Sequence, residues 1–181
     1  HIRRDWRQKT QRIILAKPKA LQKDVIDKNI ELFEDYWNTT LELGRIPANS
    51  EFEFSDQIRR ITGSHNNAHN ALINHFDEDI FNESKEKRRE DLIVYFALGL
   101  FEKRKPQSKM PESIKRDIKA FFTSYKDAVE EAREILFSVG NSQTIFEACM
   151  KAYETIKCGN MDEQHSFIFH KDYLGDLPAE L

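Results

Sequence analysis

The sequence predicts an all-α fold, a bundle of about six helices with a small irregular or β segment at its C-terminal end. Apolar residues recur at helical spacing along most of the 181-residue chain, and the strand–helix alternation of a parallel-sheet fold is absent. The apolar content lies in large side chains, with 13 Phe against 6 Gly and 5 Pro. This composition is typical of a helix-rich domain with a charged surface.

One apolar run is predicted to be the centre of this fold. Residues 91–101 read DLIVYFALGLF and lie between the charged runs ESKEKRRE and EKRK. The length and the upstream helix formers favour a helix, which we expect its neighbours to cover on all sides. The run is too short to cross a bilayer, which needs roughly 20 apolar residues. The helix should begin at Ser84, after a surface loop at 77–83, and end near Lys103.

The N-terminal part is predicted to hold a basic arm and one long helix. Residues 1–18 form an arm or linker, since residues 1–20 carry seven Lys/Arg and one Asp. Pro18 suits the first turn of a helix, and apolar and aromatic residues then recur at helical spacing. We expect an amphipathic helix over residues 19–43, ended by Gly44, with its aromatic stripe in the core.

Two short helices are predicted within residues 41–76. Ser55 or Asp56 can cap the first, and Ser64, after Gly63, can cap the second. Such a pair resembles a helix-turn-helix arrangement, and an ordinary helical hairpin is the alternative. The N-terminus that Ser64 opens would present free N–H groups to a phosphate.

The C-terminal half continues the helical pattern. A helix starts at Pro111 and Glu112, and the hydroxyls at residues 123–124 can kink or restart it because they compete for backbone hydrogen bonds. Ser142 can cap a further helix that Gly159 closes.

The domain organisation follows from these elements. We expect one helical domain at residues 19–159, between the basic arm and the truncated start of a further segment at residues 160–181. Within that last segment, residues 166–170 alternate enough to form a short strand.

Charge and cysteine content limit the classes of function. The formal net charge is −3, so global charge does not indicate a nucleic-acid binder. Two cysteines are too few for a disulfide framework, which favours a reducing cytoplasm. No signal peptide or transmembrane span is visible, and we expect no membrane partner.

Histidines suggest one metal site. His65 and His69 are four residues apart on a predicted helix, with His75 nearby, so they could share a metal ion. No Glu stands beside His65 to complete a metalloprotease pattern. We therefore favour a polar surface and expect no metal here.

A second set of metal-ligand types lies near the C-terminus. Cys149, Cys158, His165 and His170 lack the close cysteine spacing of a zinc finger. Cys149 is on the apolar face of its helix, which favours a place in the core. We expect no zinc.

Motifs for catalysis are absent. The chain has no GxGxxG, no phosphate-binding GxxxxGKS and no GxSxG. We therefore expect no catalytic residue and no cofactor-binding residue in this chain. We also expect that the chain is not an enzyme on its own.

Basic residues near aromatic ones remain as candidates for phosphate contact. The alternative is that charged helices simply have charged outer faces. With the helix-capping serine, the nucleic-acid contact candidates are Arg45, Arg59, Arg60, Ser64, Arg88, Arg89, Lys115, Arg116, Lys119 and Lys126.

From Leu41 onward the chain resembles one family, the DNA phosphorothioation-associated methyltransferases, in the portion after their methyltransferase core. The segments that carry the resemblance are LGRIPANSEF, RREDLIVYFALGLF, MPESIKRDIKAFFTSYKDA, ILFSVGNSQTIFEAC and FIFHKDYLGDLPAEL. The resemblance implies a link to bacterial sulfur modification of the DNA backbone, or to the defence that depends on it. The family's methyltransferase activity is itself a provisional label.

Three functions are consistent with this resemblance. The leading one is an accessory, DNA-engaging helical domain of a phosphorothioation-linked modification or restriction protein, without catalysis of its own. A protein-interaction scaffold that docks partner subunits of the same system is the second. The third is part of a methyltransferase whose S-adenosylmethionine-binding core would precede His1.

Overall fold

The computed structural model describes residues 23–101, 106–162 and 166–181, and it is all-α with a small two-stranded antiparallel sheet near the C-terminus. Short 3₁₀ turns lie at Gln107–Lys109 and Lys171–Asp176. The α-helices of the described residues are α1 Lys23–Asp27, α2 Ile30–Leu43, α3 Ser55–Thr62, α4 His65–Ile73, α5 Glu78–Gly99, α6 Glu112–Phe121, α7 Tyr125–Ser138 and α8 Ser142–Ile156. The predicted fold class is confirmed.

Two compact units share the described chain. The first comprises residues 23–41 and 46–81, and the second comprises 42–45 together with the described residues from 82 onward. The predicted helical domain of residues 19–159 thus spans both units. The basic arm of residues 1–18 lies outside the described residues.

The first unit has an aromatic core. Tyr36 and Phe52 meet edge to face with ring centroids 5.3 Å apart, and Trp37 stacks on Phe76 at 5.4 Å. Aromatic pairs in these arrangements add to the free energy of burial. The buried members of this core are Ile26, Phe33, Tyr36, Trp37, Phe52, Ile58, Ala68 and Leu72.

The prediction of one continuous helix over residues 19–43 is wrong at Lys28 and Asn29, where a turn separates α1 from α2. The Asn29 side-chain amide donates to the Val25 carbonyl oxygen at 2.9 Å. An asparagine side chain that bonds to nearby backbone in this way competes with helical hydrogen bonds. The predicted stop is confirmed, since α2 ends at Leu43 and Gly44 follows with a φ of +60°.

The predicted pair of short helices is confirmed as α3 and α4, joined by Gly63 and Ser64. Ser64 caps α4 by accepting from the Asn67 backbone N–H at 3.1 Å. The predicted caps of α3 are wrong, because Phe54 holds the N-cap position without a side-chain bond. The Ser55 hydroxyl instead lies 2.6 Å from His65 Nε2. Helix α4 is also shorter than the predicted end at residue 76.

The second unit is built on α5 and its neighbours α6 and α7. Its core consists of Leu92, Ile93, Phe96, Ala97, Met110, Ile118, Phe122, Ala128 and Ala132. The prediction that residues 91–101 are covered on all sides is wrong. One stripe is buried, whereas Tyr95, Leu98 and Phe101 are 46%, 61% and 73% exposed.

Helix α5 begins earlier than predicted. Residues 78–83 are helical, not a surface loop, and the Asp77 carboxylate accepts from the Asp79 backbone N–H at 2.9 Å. Glu78 and Asp79 lie in the first turn, where carboxylates interact favourably with the helix dipole. The acidic composition that suggested a loop therefore marks a helix start. The helix ends at Gly99, short of the predicted Lys103.

The restart after α6 is confirmed. Phe122 is extended, and the Ser124 hydroxyl caps α7 by accepting from the Asp127 backbone N–H at 3.1 Å. The cap of α8 is Asn141, not the predicted Ser142, because the Asn141 side chain accepts from the Gln143 backbone N–H at 2.9 Å. The cap is thus an asparagine one residue before the predicted serine, and the predicted end is also wrong, because α8 ends at Ile156 with Lys157, not Gly159, as its C-cap.

The predicted strand at residues 166–170 is confirmed in part as β2, Ser166–Ile168, which pairs antiparallel with β1, Asn160–Asp162. Gly159 precedes β1 with a φ of +121°, and a Cβ there would lie 2.5 Å from the Ile168 carbonyl oxygen. The close approach of the two backbones explains the glycine. Among the described residues, no helix combines the length and the apolar character needed to cross a membrane.

Candidate nucleic-acid interface

Helix α6 separates its apolar and basic residues onto different faces. Ile118 is buried at 2% exposure in the core of the second unit, and Ile114 packs against the same core. Lys115 and Arg116 are half-buried and Lys119 is exposed. Because residues three and four apart are neighbours on a helix, these basic side chains form one stripe.

The basic stripe lines a cavity of about 460 Å³, together with the 3₁₀ turn that precedes α6. We call this cavity the basic concavity, and its lining residues are Gln107, Ser108, Glu112, Lys115, Arg116 and Lys119. Gln107 and Ser108 add neutral donors to the three cations. Donors of both kinds are those that proteins use on phosphate oxygens.

Electrostatics in the basic concavity favour anions. Lys115 Nζ donates to Glu112 Oε1 at 2.7 Å. The hydrogen bond from Lys115, then its charge, and then the charges of Arg116 and Lys119 lower the pKa of the Glu112 carboxyl below its ordinary value. Lys115, Arg116 and Lys119 therefore all act on the Glu112 carboxyl, and the residues that line the basic concavity carry a net positive charge.

Two of the predicted contact residues are instead structural. Asp117, with no exposed surface, accepts from Arg45 Nε at 2.6 Å and from Arg88 Nη2 at 2.8 Å. Arg45 is itself buried at 8% exposure. A charge buried this deeply needs an opposite charge close by. The guanidinium groups of Arg45 and Arg88 are therefore directed toward a carboxylate inside the second unit.

Arg89 is also engaged within the second unit. Its Nη2 pairs with the Glu131 carboxylate, and its guanidinium lies 5.4 Å from the centroid of the Phe122 ring. Cation–π contact and an ion pair together hold the side chain. Lys126 is exposed in the first turn of α7 and is not among the residues that line the basic concavity.

The predicted residues of the first unit form a separate group. Arg59 and Arg60 are exposed and line a depression of about 360 Å³ with Asp56 and Gly63. Arg59 Nη1 lies 3.6 Å from Asp56 Oδ1, so a carboxylate shares the depression. Ser64 uses its hydroxyl as the cap of α4.

The prediction of a polar surface at the histidines is wrong for His65 and His69, which are buried in the first unit at 9% and 6% exposure. His65 Nε2 lies 2.6 Å from Ser55 Oγ, and His65 Nδ1 lies 3.2 Å from the Tyr36 hydroxyl. His69 stacks on Trp37 and meets Phe81 edge to face, with ring centroids 6.3 Å and 4.5 Å away. Burial lowers the pKa of both imidazoles.

Within the described residues, no group of three or more His, Cys, Asp or Glu side chains is placed so that it could hold a metal ion. Cys149 is buried at 3% exposure, as its place on an apolar face predicts, and Cys158 is exposed. His165 lies outside the described residues.

Sequence reasoning missed Gln107, Ser108 and Asp117. Asp117 had a usable signal, since it falls within the apolar stripe formed by Ile114, Ile118 and Phe121. A charged residue in such a stripe indicates a buried partner of opposite charge. The two residues of the 3₁₀ turn had no comparable signal, because their role depends on where the turn lies beside α6.

Comparison with protein-family models, with curated proteins and with solved structures gives no match to this chain. The resemblance to the DNA phosphorothioation-associated methyltransferases therefore stays a prediction from the sequence.

Proposed function

We propose that this chain is an accessory helical domain that engages DNA through the phosphate backbone, and that the basic concavity of α6 is its contact surface. The observation that carries the proposal is the clustering of Lys115, Arg116 and Lys119 around one cavity with neutral donors beside them. Such a surface contacts backbone phosphates without reading sequence.

The partition of the basic side chains supports this choice of surface. Arg45 and Arg88 pair with a buried carboxylate, and Arg89 pairs with Glu131. Lys119 is exposed, and Lys115 shares its ammonium with a carboxylate that is itself 69% exposed. Ion pairs as exposed as this one contribute little free energy, so a phosphate can replace the carboxylate at low cost.

The biological context comes from the resemblance alone. We place the domain in a bacterial system for DNA phosphorothioation modification or restriction, in the cytoplasm, with DNA and other proteins of the system as partners. If this chain is part of a longer protein that uses S-adenosylmethionine, that cofactor would bind outside the residues of this chain. Comparing duplexes with and without phosphorothioate linkages tests whether sulfur matters for binding.

The proposal is tested by titrating a fluorescent duplex with the wild type and with the double variant Lys115→Glu/Lys119→Glu. The matched control is Lys151→Glu/Lys171→Glu, which makes the same charge change at two exposed lysines outside the basic concavity. We expect the α6 variant to lose roughly tenfold or more in affinity near physiological salt, and the control to lose much less. Equal losses would assign binding to overall charge.

A second function has its own observation. Tyr95, Leu98 and Phe101 are exposed apolar side chains spaced three residues apart along α5 and its C-terminal end. Exposed apolar patches often mark protein interfaces, which favours the scaffold. A DNA affinity that neither salt nor the α6 substitutions change would favour this function over DNA engagement.

A further inference from the structure

Glu112 occupies an unusual place in the basic concavity. Among the described residues that line it, Glu112 alone carries a carboxylate. It is the first residue of α6, and its Oε1 lies 2.7 Å from Lys115 Nζ. The Glu112 carboxylate thus lies where a DNA phosphate, which is also negative, would bind.

The Glu112 carboxylate and a phosphate oxygen both accept hydrogen bonds from a cationic N–H donor, so they would compete for Lys115. Lys115 is 26% exposed, and its ammonium already donates to Glu112 in the unbound domain. A phosphate that approaches Lys115 would meet the Glu112 carboxylate at short range, and like charges at such distances repel. Either the carboxylate moves out toward solvent or the phosphate binds more weakly.

We propose that Glu112 is a built-in competitor of the phosphate, holding Lys115 in the unbound domain and thereby setting the affinity of the basic concavity for DNA. The inference rests on the proposed function. Glu112 is 69% exposed, which gives its side chain room to swing aside when a phosphate arrives. The domain would then bind DNA with moderate affinity and release it readily.

A purely structural role predicts something different. A carboxylate in the first turn of a helix interacts favourably with the helix dipole, so Glu112 also contributes to the stability of α6. If that were its whole role, Glu112→Gln would lower the melting temperature slightly and leave DNA affinity unchanged or reduced. The two roles therefore differ in the sign of the effect on binding.

The test is a DNA titration with the wild type and Glu112→Gln, using an unmodified duplex across a salt series. We expect Glu112→Gln to bind roughly two- to fivefold tighter at low salt, a gain within the range of an exposed ion pair, and we expect the gain to shrink as salt screens the repulsion. The matched control is Glu154→Gln, which removes an exposed carboxylate from α8, and it should gain less than Glu112→Gln.

A double-mutant cycle with Lys115→Gln identifies the route of the effect. If Glu112 acts by holding Lys115, the gain from Glu112→Gln should be smaller in the Lys115→Gln background. If the wild type binds DNA and Glu112→Gln binds it with the same affinity, the inference is overturned and the proposed function stands. Absence of binding by both proteins overturns the two together.

Discussion

The Asp117 carboxylate and the Arg45 guanidinium, 72 residues apart in sequence, meet at 2.6 Å in the interior of the second unit. Arg88 approaches the other carboxylate oxygen at 2.8 Å. This pairing takes two arginines out of the set of basic residues open to a ligand. It also ties the residues after α2 to α5 and α6 within that unit.

Removing the charge at position 117 should therefore destabilise the fold. Asp117→Asn leaves two guanidinium groups without their carboxylate, and the loss should be roughly 3–5 kcal/mol. Asp176→Asn, which breaks the exposed pair with Lys87, should cost less than about 1 kcal/mol. Chemical denaturation measures both. Similar losses for the two variants would contradict the structural role of Asp117.

Gly44 should tolerate no side chain. Its φ is +60°, and an added Cβ would lie 2.8 Å from Arg88 Cβ. Gly44→Ala should cost roughly 1–3 kcal/mol, from backbone strain and from the displacement of Arg88. Gly99→Ala is the control, because a Cβ there meets nothing within 4 Å. Thermal melting should show a clear decrease for the first variant alone.

His69 should make folding stability depend on pH. Burial lowers its pKa in the folded state below the unfolded value, so protons bind preferentially to the unfolded chain. The contribution of neutral His69 to folding stability is therefore fully present above the unfolded pKa of about 6.5, and it is lost as the pH falls from there through the lower pKa of the folded state.

The variant His69→Phe tests this pH dependence. His69 Nδ1 is buried without a hydrogen-bond partner, so replacing the ring should cost little at neutral pH. Denaturation at pH values of about 7.5 and 5.5 should show a smaller loss on acidification than in the wild type. An unchanged dependence in His69→Phe would assign the effect to other groups.

The cap of α8 gives a further comparison between neighbours. Asn141→Ala removes the side chain that accepts from the Gln143 backbone N–H and should cost about 1 kcal/mol. Ser142→Ala changes the next residue, which makes no capping bond in α8, and should change stability by less than about 0.5 kcal/mol. If Ser142→Ala lost more stability than Asn141→Ala, Ser142 would be the cap of α8, as the sequence predicted.

Local patterns predicted much of the fold, because helical periodicity and stop signals act over a few residues. Gly44, Ser64 and Ser124 were read correctly as an end, a cap and a restart. The break at Asn29 was missed, since a single asparagine signals only weakly against a long apolar periodicity. The start of α5 was missed because acidic residues suit both loops and first turns.

The candidate site was predictable only in part. The stripe of Lys115, Arg116 and Lys119 follows from helical spacing alone, and the structure keeps it on one cavity. Arg45 and Arg88 could not be separated from that set by sequence, because their pairing with Asp117 joins distant segments. Whether a basic residue is open to a ligand depends on tertiary contacts that spacing does not encode.

The central claim is that α6 contacts DNA phosphates, and the salt dependence of duplex binding tests it most directly. We expect log affinity to fall linearly with log salt concentration in the wild type, and Lys115→Glu/Lys119→Glu to reduce the slope by about 1–2. The control Lys151→Glu/Lys171→Glu should keep the wild-type slope. A slope that the α6 substitutions leave unchanged would contradict the account.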